Sequence, residues 1–72
     1  MKVLYKIEEK EILQEKLSND GFKIILARWV REELNNKIQY VTWVLNPKSN
    51  TTHQGNYFDL LSEAKEDYLK RT

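Results

Sequence analysis

The residues that could do chemistry are few. His53 is the only imidazole in the 72-residue chain, and it stands in "NTTHQG" with Asp59 six residues on. A general base needs a partner that orients it and a pocket that excludes water. The polar neighbours of His53 point instead to an exposed loop or strand edge. Glu63, Glu66 and Asp67 crowd the last segment, where the spacing of Glu66 and Lys70 is that of an ion pair on a helix surface. Ser18, Ser49 and Ser62 lack the setting of a nucleophile elbow, and no glycine-rich phosphate loop occurs. There is no Cys, so disulfides and thiolate metal sites are excluded, and a single His excludes an all-imidazole metal site. The expectation is a protein that is not an enzyme and carries no metal and no cofactor.

A better set is Arg28, Trp29, Arg31, Tyr40, Trp43 and Lys48. Cations beside aromatic rings on a sheet suit base stacking and phosphate contacts. They equally suit protein interfaces, where Trp, Tyr and Arg dominate the binding energy. These six residues are the expected binding site for a partner or a nucleic acid.

Bulk composition narrows the choice. The length allows one domain, residues 1–72, and a domain this small gains from a partner subunit when it has no disulfide or metal. Twelve Lys and Arg stand against eleven Asp and Glu, which is not the balance of a strongly basic nucleic-acid protein. Residues 22–58 hold five cations against two acids, and both flanks are mildly acidic. "MKVLYKIEEKE" has no long apolar run, so neither a signal peptide nor a membrane span is expected. Asn50-Thr51-Thr52 has the form of a glycosylation acceptor, read here as a polar loop. A soluble, cytoplasmic protein is the expectation.

The elements that must position the six residues follow from periodicity. "KVLYKI", residues 2–7, alternates weakly and predicts a strand or extended arm. "EEKEILQEKLSN", residues 8–19, predicts a helix, with Glu at its start, Lys16 near its end and Ile12, Leu13 and Leu17 as an apolar stripe. Gly21 would be the left-handed cap of that helix. Residues 22–32 predict a strand, with Phe22, Ile24, Leu26, Arg28 and Val30 on one face and Lys23, Ile25, Ala27, Trp29 and Arg31 on the other. The two Asn residues of "ELNNKI" suit a turn. A second strand runs from Lys37 to about Leu45, ended by Asn46-Pro47, and a short third strand covers His53–Phe58. Asp59 would cap a helix over 60–71 that turns Leu61, Ala64 and Tyr68 inward, with Leu60 alongside them. The predicted fold is α+β: a three-stranded antiparallel meander, with a possible extra N-terminal strand, and two helices packed on one face.

"KIQYVTWVLNP", residues 37–47, raises a difficulty for that fold. Ile38, Tyr40, Thr42 and Val44 lie on one side, and Gln39, Val41, Trp43 and Leu45 on the other, so both faces are apolar. Two short helices cover one face. The other must be closed by the N-terminal segment, by a second copy of the chain, or by a ligand. The expected function is a non-enzymatic, self-associating interaction module with a homodimer or another protein as partner. A weak nucleic-acid binder using the basic and aromatic sheet face is the alternative.

Residues 40–71, "YVTWVLNPKSNTTHQGNYFDLLSEAKEDYLKR", resemble the last half of the plant ethylene-response-type DNA-binding domain and are similar to the arm-binding domain of transposon integrases. The shared features are Asn46-Pro47, Gly55, an aromatic at 57 or 58, Asp59, Glu63-Ala64 and Tyr68. That resemblance implies a three-stranded sheet laid in a DNA groove. The helix–three-strand–helix order also resembles the double-stranded-RNA-binding domain, whose Lys cluster at the last helix is replaced here by "LSEAKED". The pairing of "YVTWVLNP" with "GNYFDLLSEAKEDYLKR" looks like short accessory proteins of Gram-positive phages and mobile elements, which implies an accessory or regulatory role.

Overall fold

The computed structural model describes residues 2–71. Five strands follow one another: β1 Tyr5–Ile7, β2 Lys10–Leu17, β3 Lys23–Arg31, β4 Lys37–Asn46 and β5 Thr51–Phe58, and then one helix, α1, Leu61–Lys70. Every strand pairs antiparallel with the next, so the sheet is a simple meander in the order β1-β2-β3-β4-β5. A short 3-10 turn, Glu32–Leu34, leads from β3 into Asn35 and Asn36, which both take the positive φ expected of them.

The predicted three-stranded meander with two helices on one face is therefore corrected to a five-stranded sheet with a single helix. The expected helix over 8–19 is a hairpin turn followed by β2. Glu8 and Glu9 form the two-residue turn, at φ 49° and 69°, a conformation that Asn and Gly adopt with less strain. A segment of twelve residues is marginal as an isolated helix, whereas as a strand it satisfies its backbone against β3 on one side and β1 on the other. The apolar pair Ile12-Leu13, read as part of a helical stripe, is split by a bulge. Ile12 lies opposite Ala27, Gln14 lies opposite Leu26, and Leu13 is the extra residue. Ile12 and Leu13 thus enter different cores. Gly21, at φ 85°, serves the β2–β3 turn rather than a helix end.

Register assigns each strand residue to a face. On one face Leu13, Ile24 and Leu26 meet Ala64 and Tyr68 of α1, with Val3, Tyr40, Phe58 and Leu61 around them. On the other, Ile12, Ile25, Ala27, Val41 and Trp43 form a second core, flanked by Trp29 and Leu45. The helix turns Leu61, Ala64 and Tyr68 inward as expected, while Leu60 is left outside. Asp59 does not cap it. Leu60 takes the cap position without a side-chain bond, and the Asp59 carboxylate pairs with Lys37 at 3.1 Å.

The helix is latched to the sheet by one carboxylate. Asp67 Oδ2 accepts from the fully buried Thr42 Oγ1 at 2.5 Å, from Arg71 Nε at 3.1 Å and from Asn56 Nδ2 at 3.4 Å. Arg71 also donates from Nη2 to the carbonyl of Gln54 at 2.7 Å, tying the end of the helix to β5. Burial pushes the Asp67 carboxyl up, but the bonds from Thr42, Asn56 and Arg71 and the Arg71 charge outweigh it and hold its pKa below the usual value. A carboxyl lowered by folding stabilises the fold above its unfolded pKa, and that gain is lost as pH falls through the folded pKa. Asp67→Asn is expected to cost about 1–2 kcal/mol at neutral pH. The gap between the two proteins should close as the pH falls below the ordinary carboxylate range and through the lowered pKa of the folded Asp67. Urea denaturation of both across the pH range checks this.

Candidate functional site on the concave face

The helix packs on β3, β4 and β5 through the core that contains Leu13, so no element of secondary structure lies over the opposite face. The residues there are nonetheless sealed. Ile12, Ile25 and Ala27 are fully buried, Val41 is 2% exposed and Trp43 is 6% exposed. The shelter comes from the sheet itself. The β2 bulge at Leu13 has a counterpart between β4 and β5, where Thr42 lies opposite Asn56 but Val44 lies opposite His53, so Gln54 and Gly55 face Trp43 alone. Gln54 takes φ 56° at this point. Bulges bend and coil the strands that carry them. In a flat sheet the first and fifth strands would stand about 19 Å apart. Here a single hollow of about 380 Å³ is lined both by Ile7 and Glu8 of the β1–β2 hairpin and by Thr52 and Tyr57 of β5. Trp43, Val41 and Leu45 line the same hollow.

A cluster of rings and cations borders the hollow. Lys10 lies opposite Trp29 across the β2–β3 ladder, and its Nζ sits 4.3 Å from the centre of the indole ring. The Arg31 guanidinium is 4.1 Å from the same ring, and Tyr57 approaches it at 6.3 Å. Such contacts suit an interface because the ring offers apolar area at a fixed orientation while the cations keep the edge wet. Tyr5, on the same face by its pairing with Ile12, donates to Glu15. Burial, together with the bond to Glu15 and its charge, pushes the Tyr5 phenol up to about 12.

The six residues singled out from the sequence do not converge. Trp29, Arg31 and Trp43 share the concave face, with Trp43 inside it and Trp29 partly buried at its border. Arg28 and Tyr40 lie opposite one another on the helix side, where Arg28 Nε donates to Glu11 Oε2 at 2.8 Å. Lys48 is in the turn after β4, its backbone N–H donating to Asn46 Oδ1 at 3.0 Å. Two contributors escaped sequence reasoning. Lys10 was assigned to a helix, and Tyr57 reaches the site only because the β5 bulge sets its register opposite Val41. The adjacent Gly55 was the available signal, since a glycine inside a strand marks a bulge.

Nucleic-acid chemistry finds its arginines engaged. Arg28 pairs with Glu11, Arg31 with Glu33 and Gln39, and Arg71 with Asp67. Lys37 pairs with Asp59. Hydrolytic chemistry finds the right letters in the wrong order. Ser18, Asp20 and His53 line one shallow hollow of about 300 Å³ beside the end of α1. The Ser18 hydroxyl donates to Asp20 and accepts from the Phe22 N–H, which makes it a turn residue, and His53 packs edge-on against Phe22 at 5.7 Å. Among the described residues no group of acids and His has the spacing to hold a metal ion. No described helix is long and apolar enough to cross a membrane. In comparisons with known proteins the chain matches no family model, no curated sequence and no solved structure.

Trp43 and Trp29 should therefore separate in their cost to stability. Trp43→Ala opens a cavity in a closed core and is expected to cost about 3–5 kcal/mol. Trp29→Ala removes a ring that is already partly wet and should cost less than about 2 kcal/mol. The indole N–H of Trp43 is buried with no hydrogen-bond partner, so Trp43→Phe removes an unpaired donor along with some volume and should lie nearer to Trp29→Ala than to Trp43→Ala. Denaturant midpoints for the three variants check the order.

Proposed function

We propose that this protein is a non-enzymatic interaction module of accessory or regulatory character that receives a segment of a protein partner on its concave sheet face. The observation that carries the reading is the hollow of about 380 Å³ on the face without a helix. Its lining mixes the apolar Ile7, Leu45 and Tyr57 with the polar Glu8, Lys10, Asn50 and Thr52, and with Trp29 beside Tyr57 this is the make-up of protein interfaces, where aromatic residues stand among polar ones. Engagement of the arginines within the protein favours a protein segment over a nucleic-acid backbone. Selection from a displayed library of random peptides tests the reading. Peptides should be enriched that bind the protein and lose binding when Tyr57, 56% exposed, is changed to Lys. No enrichment above an unrelated small protein, or enriched peptides indifferent to Tyr57→Lys, would contradict it.

Self-association is a second reading, and a different surface favours it. Val30 and Ile38 lie directly opposite one another beyond the start of α1, and both are at least 40% exposed. Leu34 and Leu60 are exposed as well, and exposed apolar patches are a mark of interfaces. If two copies meet there, sedimentation velocity will show a dimer at micromolar concentration that Ile38→Lys converts to monomer with an unchanged melting temperature in dilute solution. A monomer throughout the accessible concentration range excludes this reading and leaves the concave-face proposal untouched.

A further inference from the structure

We infer that β5 is a self-pairing edge, at which two copies of this chain join their sheets antiparallel about the Gln54-Gly55 bulge. The inference goes beyond the concave-face reading and uses the rim of the sheet rather than either face. β1 and β5 are the two edges of the sheet, and they are guarded unequally. Sheets blunt a free edge by shortness, charge, proline or a bulge. β1 has three residues, with Lys6 in the middle. β5 has eight, Thr51–Phe58, all but Phe58 exposed, with no Lys, Arg, Asp, Glu or Pro among them. Its one guard is the bulge, and the bulge sits at its centre.

The bulge makes the strand complementary to itself. Thr52 and Tyr57 lie opposite Leu45 and Val41 on the concave side, and Thr51, His53, Asn56 and Phe58 lie opposite Asn46, Val44, Thr42 and Tyr40 on the helix side. From either end of the strand the faces run helix, concave, helix, bulge, bulge, helix, concave, helix. A strand of eight residues without a bulge alternates throughout and would mismatch every pair in this register. A two-fold axis through the bulge sets Thr51 against Phe58, Thr52 against Tyr57 and His53 against Asn56 of the second copy. The hydrogen-bonding edge stays in step as well. β4 runs regularly from Thr42 to Val44, so their partners Asn56 and His53 offer the free edge the same backbone groups. Two of the three pairs join a β-branched residue to an aromatic one, the third joins two hydrogen-bonding side chains, and none sets like charges together. At the centre Gly55 lets the backbones come close, and the Gln54 carbonyl, already bound by Arg71, needs no ladder partner. Both helices fall on one side of the joined sheet. α1 lies over β3, β4 and β5. The two β4 strands stand about 14 Å apart across the axis, so the helices above them clear one another.

The chain has no Cys, so introduced cysteines report the register directly. Thr52→Cys and Tyr57→Cys proteins, carrying different tags, are mixed at high micromolar concentration in a glutathione redox buffer. His53→Cys and Asn56→Cys proteins are mixed in the same way. Directly opposite residues stand within reach of a disulfide, and one of the two mixtures holds the closer, non-hydrogen-bonded pair. Two copies of residue 52, or of residue 57, stand about 15 Å apart. In at least one mixture the mixed disulfide dimer should exceed each like-with-like dimer by about tenfold or more. Sedimentation velocity of the chain without cysteine should show a concentration-dependent dimer. Thr52→Glu with Tyr57→Glu should weaken it about fivefold at low salt, and Thr52→Glu with Tyr57→Lys should restore it, with the melting temperature in dilute solution held within a few degrees. Ile38→Lys should leave it unchanged. Equal yields of mixed and like-with-like dimers in both mixtures, a monomer at every accessible concentration, or a dimer that Ile38→Lys breaks and the β5 charges do not, overturns the inference. Each of those results leaves peptide capture on the concave face standing.

Discussion

A sheet that is apolar on both faces has to be covered on both, and this chain has one ten-residue helix with which to do it. The second face is closed by coiling the sheet on itself. Everything else depends on that closure. It buries Trp43 within a single protomer, it brings the β1–β2 hairpin and β5 to the rim of one hollow, and it leaves Trp29 and Tyr57 at the border where a partner can meet them. Two bulges supply the curvature, one at Leu13 and one at Gln54-Gly55. The second bulge turns the Gln54 carbonyl to Arg71, whose guanidinium also binds the helix latch at Asp67. The coil of the sheet and the seating of the helix are thereby one hydrogen-bonded unit.

The bulges and the turns carry the local strain. Besides the Asn residues, the non-glycine positions at positive φ are Glu8, Glu9 and Gln54. Those three residues have no side-chain reason to favour the left-handed region. They sit at the hairpin beside the hollow and at the β5 bulge. Strained backbone persists where the surrounding structure holds it, and it gathers at functional sites. The coincidence of strain with the concave face agrees with a role for that face in binding. The two orphaned buried atoms, Gln14 Oε1 and Trp43 Nε1, likewise lie in the second bulge position of β2 and opposite the bulge of β5.

How much of this was legible in the sequence varies with the range of the interaction. The faces of β3 and β4 were readable from alternation alone, as were the Asn-Asn turn, the stop at Pro47 and the inward face of the last helix. The apolar excess was readable too, and so was the need for something to close it. The means of closure was not. "EEKEILQEKLSN" has helical charge order and a helical apolar spacing, and only a bulge, which is settled by pairing with β3, makes Ile12-Leu13 fit a strand. The same misreading hid Lys10. The six-residue candidate site failed to converge because side-by-side cations and rings in a strand alternate between faces. Arg28 and Trp29 are neighbours in sequence and lie on opposite sides of the sheet.

The central claim is that a lone protomer shelters its own second face. Fluorescence of Trp43 in a Trp29→Phe background tests it most directly. Emission that is blue-shifted and protected from acrylamide, and that stays so from nanomolar to high micromolar concentration, is the result expected of a sheet closed by its own coil. Red-shifted, freely quenched emission in dilute solution, or protection that appears only as concentration rises, would mean that a second molecule does the covering and that the concave face as described here does not exist in the isolated chain.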